Sequence, residues 1–362
     1  MTRVGIVGTG LVGASIGLAL TRDGVEVTGF DVDPARADKA RRRGAIRAAV
    51  GTVAEVAADA EVVIVAVPVG DIDRLVIAAL DAGAPAVTDV GSVKAPIVAA
   101  VEAARPELAG RFVGGHPMAG SEQGGLDGAD ADLFVGATWV LTPTDRTDAS
   151  VFTTVRRLVA GLGAEVIAVP PAHHDDLVAV VSHGPQLAAT TLMDVAAAGG
   201  EEHATLLRLA AGGFRDMTRI AAGDPGIWPD ICVANRDAIV DALDGYLDAL
   251  GGVRELVAGR DRDGLLELLE RARAARRRLP VGGSSDEPLV ELRVPVPDRP
   301  AVLAEVTTLA GSMAINISDI DIAHSVEGGG GVLVLLLPAR DVESFEAALT
   351  ERGYHHSRRV LP

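Results

Sequence analysis

Three glycines, Gly8, Gly10 and Gly13 in RVGIVGTGLVGAS, stand at the spacing of a phosphate-binding turn. The pattern alone is common. Here it follows an apolar run, Val4–Val7, and opens an apolar helical segment, Val12–Arg22, which is the context a dinucleotide requires. Gly8 permits the tight turn, Gly10 removes a side chain where a pyrophosphate approaches, and Gly13 lets helix and strand pack closely. The helix start adds N–H donors and the positive end of its dipole. Thr9, Leu11 and Val12 complete this turn, and Val67 and Pro68, at the end of a later apolar run, close the pocket. Asp31 follows Gly13 by 18 residues, where a carboxylate accepts bonds from ribose hydroxyls and repels a 2′-phosphate. NAD is therefore expected over NADP, the first arginine able to favour that phosphate being Arg36.

Two further polar clusters follow apolar runs directly: DVGSVK (Asp89–Lys94) and GGHPMAGSE (Gly114–Glu122). Ligands of open α/β sheets sit at such strand ends, so His116 is a candidate functional group. Later come His173–His174 and Ser182–His183, about two helical turns apart, so that His174, Ser182 and His183 can share a face. The segment Phe214–Asn235 carries Arg215, Asp216, Arg219 and Trp228. The histidines lack H-E-x-x-H spacing and cysteine pairs, so no metal is expected.

The elements that must hold these groups alternate in type. Strands are predicted at Val4–Val7, Val25–Phe30, Val62–Val67, Ala86–Asp89, Arg111–Gly114, Thr138–Leu141 and Glu165–Val169, with helical segments between them such as Ala35–Arg43 and Val93–Ala104. This is the signature of βαβ units on a mostly parallel, doubly wound sheet, an α/β Rossmann-type domain over residues 1–169. From 170 to 280 apolar residues recur at helical spacing, for example Ile231, Ile239, Leu243, Leu247 and Leu250, predicting an all-helical domain. The Gly, Ser and Pro of PVGGSSDEP (Pro280–Pro288) mark a boundary, with 281–287 as a linker. Residues 288–362 read as a small β-α-β-β-α-β ferredoxin-like domain: strands Leu289–Val296, Ile315–Ile322, Gly331–Leu337 and His356–Leu361, helices Pro300–Ala310 and Val342–Arg352, and a hairpin tip at Gly328–Gly331.

Bulk properties narrow the function class. A formal net charge of −17 argues against nucleic acid, whose phosphates need clustered Lys and Arg. The single cysteine, Cys232, excludes an internal disulfide framework. No apolar run approaches the ~20 residues of a membrane span, and the first residues pass straight into a strand without a signal segment. A soluble, cytoplasmic enzyme is expected.

In family order, GTGLVGAS, DVGSVK, GGHPMAGSE, SHGPQLAA, FRDMTRIAAGDPGIW and Ile231–Asn235 resemble the prephenate/arogenate dehydrogenase family of tyrosine biosynthesis, and the tail resembles an ACT-type regulatory domain. The resemblance implies oxidative decarboxylation of a ring bearing a C4 hydroxyl and two carboxylates. It implies that His116 takes the hydroxyl proton as hydride leaves for NAD, that Ser92 orients hydroxyl and nicotinamide, and that Arg219 binds the ring carboxylate. Glu122, Asp216, His174 and Ser182 match the supporting polar network. The chemistry agrees: a near-neutral base suits a histidine, and a planar guanidinium suits a carboxylate.

Two departures from the family stand out. Gln186 in SHGPQ replaces a histidine near the substrate's side chain, and no acidic residue stands there to pair with an ammonium. Prephenate is therefore expected, with arogenate as the alternative. In the tail, Ala301 and Ala314 stand where ACT domains often carry glycine, which narrows an amino-acid pocket. A tyrosine effector, with Asn316 as contact, is the corresponding expectation. A β-hydroxyacid dehydrogenase would need a lysine in the helical half, and none follows Lys94. A sensor of NAD or amino acids without turnover is disfavoured by His116, Ser92 and Arg219 standing in their motifs. The apolar region Ile231–Leu250 has too little chain to cover it, which predicts an intertwined homodimer.

Overall fold

The computed structural model describes residues 3–120, 123–198, 212–276, 278, 289–297, 299–324 and 330–360. The chain divides into two compact units, Met1–Arg260 and Asp261–Pro362.

The first unit is built on an eight-stranded sheet: β1 (Arg3–Val7), β2 (Glu26–Phe30), β3 (Ala48–Ala49), β4 (Val62–Val65), β5 (Val87–Asp89), β6 (Phe112–Pro117), β7 (Thr138–Thr142) and β8 (Glu165–Ala168). Their order is β3-β2-β1-β4-β5-β6-β7-β8. Neighbours run parallel except β6 and β7, which pair antiparallel with His116 opposite Val140. The chain winds outward from β1 to β3, then returns to the other side of β1 at β4. That reversal opens a crevice beyond the carboxyl ends of β1 and β4.

β4 explains why its run is continuously apolar rather than alternating. Val62 and Ile64 join one core with Ile16, Leu141 and Val155, whereas Val63 and Val65 join a second with Ile72, Val76 and Val101. Both faces are covered, as a parallel sheet requires. The helices supplying that cover are α1 (Leu11–Arg22), α2 (Pro34–Arg42), α3 (Val53–Ala57), α4 (Val69–Asp81), α5 (Ala95–Ala104) and α6 (Ala149–Gly161). The start of α2 is local chemistry: Pro34 occupies the first turn and the Asp33 carboxylate accepts the Ala35 N–H at 3.0 Å.

Beyond β8 the unit is helical. α7 (Pro171–Val178) passes through a π-helical turn, Ala179–His183, into α8 (Gly184–Ala198). Helices Gly212–Thr218, Trp228–Ala234 and Arg236–Ala258 follow, with short 3-10 turns at Arg219–Ala222 and Pro225–Ile227. Among the described residues no helix is long and apolar enough to cross a membrane.

The second unit holds the helix Arg262–Arg276 and an antiparallel sheet of β9 (Leu289–Pro297), β10 (Asp319–His324), β11 (Gly330–Pro338) and β12 (Ser357–Val360), ordered β10-β11-β9-β12. Helices Val302–Ser312 and Ala339–Glu351 connect the strands, and Leu309, Val306, Phe345 and Leu349 bury against Leu292, Val294 and Leu335. One expected strand starts late. Ile315 donates its N–H back to Ala310 O at 3.0 Å, closing the helix, so the ladder begins only at Asp319. The stretch 281–287 and most of the Gly328–Gly331 tip lie outside the described residues, while Gly330 and Gly331 belong to β11.

Candidate active site

The glycine turn has the form its spacing predicts. Gly8 has φ +94°, and a Cβ there would lie 2.2 Å from Ala66 O and 2.8 Å from Val67 Cγ1. Gly13 lies against the Gly8 carbonyl, where a Cβ would come within 2.0 Å. At Gly10 a Cβ would meet nothing within 4 Å, and no side chain caps the start of α1. An open space faces uncapped helix N–H groups, which fits a pyrophosphate. Leu11 and Val12 form the first turn of α1, and Pro68 precedes α4, placing Val67 and Pro68 at the crevice.

Asp31 is buried behind this turn. Its Oδ2 accepts the Thr9 N–H at 2.8 Å and the Thr9 hydroxyl at 3.0 Å, and its Oδ1 accepts the Asp33 N–H at 3.0 Å. The carboxylate therefore holds the turn's shape. Arg36 comes closer than its sequence distance suggested, with Nη1 3.6 Å from Asp31 Oδ1.

His116 occupies the penultimate position of β6 and is buried. Its Nδ1 lies 2.8 Å from His174 Nε2, and His174 Nδ1 lies 2.8 Å from Asp175 Oδ1. The carboxylate can only accept, since it also takes the Lys94 and Ala95 N–H groups, each at 2.8 Å. Donation then runs one way along the row. His174 donates from Nδ1 and accepts at Nε2; His116 donates from Nδ1, which leaves its Nε2 lone pair to accept a proton. Burial, followed by the neighbouring His174, Lys94 and His183, holds the His116 imidazole well below the ordinary histidine value, so it is neutral at pH 7.

The π-helical turn brings a third imidazole to this cluster. His183 is buried, stacks edge-on to Trp228 at 6.1 Å, and receives the Asn235 amide at Nδ1 over 3.2 Å. The same amide donates to Asp175 O at 2.9 Å, tying helix Arg236–Ala258 to α7. Burial pulls His183 down to about 4.

Under His116 lies a fully buried ion pair. Asp89 and Lys94 are in direct contact; Lys94 Nζ donates to Gly115 O at 2.9 Å, and Asp89 accepts the Gly115 N–H at 3.1 Å and the Gly91 N–H at 2.9 Å.

The remaining expected residues are placed less tightly. Ser92 is half-buried in the loop between Asp89 and Lys94, and Ser182 is half-buried on the π-helical turn. Arg219 and Asp216 are exposed, Arg219 opening its 3-10 turn and Asp216 on the preceding helix. Gln186 is buried and donates to Ile220 O at 3.1 Å, so its amide holds the turn that carries Arg219. Glu122 lies outside the described residues. Asn316 is exposed in the second unit, in the loop before β10. Among the described residues no group of His, Cys, Asp and Glu is arranged to hold a metal. Sequence reasoning left Asp175, Asp89, Lys94 and Asn235 without roles. The adjacency of Asp175 to His174 was visible, but its reach to α5 is a contact across 80 residues.

Residues 16–168 match the prephenate dehydrogenase nucleotide-binding domain, and residues 170–271 match the prephenate dehydrogenase dimerization domain. The chain belongs to the prephenate dehydrogenase family. It is 32% identical over 342 residues to a prephenate dehydrogenase of Bacillus subtilis (strain 168), covering 93% of this chain and 92% of that one. Among solved structures it is similar to prephenate dehydrogenase from A. aeolicus in complex with hydroxyphenyl propionate and NAD+ (32% identity, TM-score 0.72). That match covers 77% of this chain and 99% of the other. It is also similar to Synechocystis arogenate dehydrogenase (30% identity, TM-score 0.67), over 77% of this chain and all of the other. As a member of this family the chain is an NAD-dependent dehydrogenase.

Proposed function

We propose that this chain converts prephenate to 4-hydroxyphenylpyruvate, with His116 as the base, and that the row His116–His174–Asp175 carries the assignment. NAD, held at Gly8–Gly13 with Asp31, Val67 and Pro68, supplies the hydride acceptor. The C4 hydroxyl gives its proton to His116 Nε2, the one nitrogen of the row with a free lone pair, as the C–H bond breaks and a C4 carbonyl forms. Ser92 orients the hydroxyl. Arg219 holds the ring carboxylate, Gln186 keeps its turn in place, and Asp216, Ser182 and Glu122 complete the polar surround. Loss of carbon dioxide leaves its bonding pair in the ring, which becomes aromatic, so the step is strongly downhill. His174 and Asp175 fix the tautomer, as a carboxylate–histidine pair does for other bases.

The remaining readings follow the same frame. The domains are 1–169 for the nucleotide, 170–280 for substrate and dimerization, a linker at 281–287 and an ACT-type domain at 288–362. That last reading is supported by the β-α-β-β-α-β order from β9 to β12. The working form is a homodimer: Tyr246, Leu247 and Leu250 on the helix Arg236–Ala258 expose about half or more of their surface. L-tyrosine acts as effector at the ACT-type domain, with Asn316 as contact, and the protein works in the cytoplasm.

The test is NADH formation with prephenate and with arogenate, each with and without tyrosine. Turnover of prephenate alone is expected, reduced by tyrosine. Turnover confined to arogenate would replace the substrate assignment, and calorimetry showing no tyrosine binding would end the effector reading.

A further inference from the structure

The Asp89–Lys94 pair is fully buried, yet no step above uses either charge. Burying two charges is costly, and such a pair is poor evidence of a purely stabilising role. Its contacts are specific. Lys94 Nζ takes the carbonyl of Gly115 and Asp89 Oδ1 takes the N–H of the same residue, so both peptide groups of the residue before His116 are held. The double glycine is what admits this contact. A Cβ on Gly115 would lie 2.6 Å from Asp89 O, and one on Gly114 would lie 2.4 Å from Thr142 Oγ1 and 3.2 Å from Lys94 Cδ.

Lys94 also closes a circuit. Its backbone N–H is bound by Asp175 Oδ1, the oxygen that orients His174, which in turn bonds His116. From Lys94 the path runs through Asp175, His174 and His116 to Gly115 and back to the Lys94 ammonium. We propose that Lys94, with Asp89, is the positioning residue of the active site, fixing the base at its backbone while Asp175 and His174 fix it at its ring. This rests on His116 being the base. After burial and the neighbouring His174, the Lys94 charge opposes protonation of the His116 imidazole, followed by His183, while Asp89 and Asp175 act on Lys94 itself.

The test uses the full chain saturated with NAD and prephenate, comparing wild type, Lys94→Met and Asp89→Asn/Lys94→Met. The double variant leaves no buried charge alone, so it retains the fold where the single variant does not. Expected is a fall in kcat of about 10–100-fold, the scale of a small misplacement of reacting groups, with KM for prephenate within about threefold. In Lys94→Met, where the cation alone is lost, the acidic limb of kcat/KM moves to higher pH, because a charge that opposes protonation of His116 is gone. A merely structural pair lowers thermal stability but leaves kcat per folded molecule in place; an unchanged kcat in either variant overturns the proposal, as does an acidic limb that stays in place in Lys94→Met. One measurement needs no variant at this site. The chain has two lysines, Lys39 and Lys94, so the side-chain nitrogen resonance of Lys94 is assigned by Lys39→Arg. Slow hydrogen exchange at Nζ is expected, and exchange as fast as at Lys39 overturns the clamp. If His116→Asn retains activity, the base assignment itself fails; if it is inactive while Lys94→Met is normal, only this inference fails.

Discussion

An imidazole becomes a directed base when one nitrogen is committed and the other is left a lone pair, and His116 meets that condition through two partners. Replacing it tests the acid–base step directly. His116→Asn is expected to cut turnover by about 10²–10⁴-fold, read as NADH formation, with the fold checked by circular dichroism. Unchanged turnover would remove it from the mechanism. Asp175→Asn keeps the shape but gives the His174 ring a donor to face, so the tautomer of the row is no longer set. A loss of about 100-fold or more in kcat is expected, with NAD binding unchanged. The low position of the His116 imidazole gives the pH dependence its sign. The neutral form is active, so kcat/KM falls only when pH drops well below 6.5, the ordinary histidine value; an acidic limb at or above 6.5 would contradict the assigned environment. At the carboxylate, Arg219→Ala is expected to raise KM for prephenate roughly tenfold or more with kcat less affected.

Elements position these groups through turns that only some residues tolerate. Gly8 meets its positive φ with a glycine, whereas two turns of the second unit meet theirs with alanine. Ala301, preceding the helix Val302–Ser312, has φ +71°, and Ala314, just after that helix, has φ +56°. Both alanines thus adopt the conformation that glycine takes in related turns, at a cost of about 1–2 kcal/mol each for an L-residue. Both side chains are exposed, and the structure adds a backbone argument to the expectation of a narrowed pocket. Ala301→Gly and Ala314→Gly should each stabilise the second unit by about 0.5–1 kcal/mol, after the extra freedom glycine has when unfolded. Thermal melts showing lower stability for both variants would refute the strain. The π-helical turn is the opposite case: its extra residue per turn left no mark in the apolar period, yet it sets where His183 stands relative to His174.

Across the molecule, burying neutral histidines links stability to pH. Unfolded, His116 and His183 take up protons near pH 6.5; folded, His116 does so well below that and His183 near 4. The unfolded state binds more protons between those values, so stability should fall as pH drops from about 6.5 toward 4. Melting temperatures that stay flat across that window would contradict both burials. For assembly, a light-scattering mass equal to one chain would refute the homodimer. The sequence by itself determined the sheet, because continuous apolar runs with helical segments between them bury on both faces in one way, and it singled out the glycine turn, Asp31 and His116 by local spacing. It could not show that Asp175 caps α5, that Lys94 grips Gly115, or that Ile315 turns back on its helix. Those contacts join residues far apart in the chain or depend on a backbone angle, and neither leaves a period or a motif. The base was legible as a residue; what makes it a base was decided by packing.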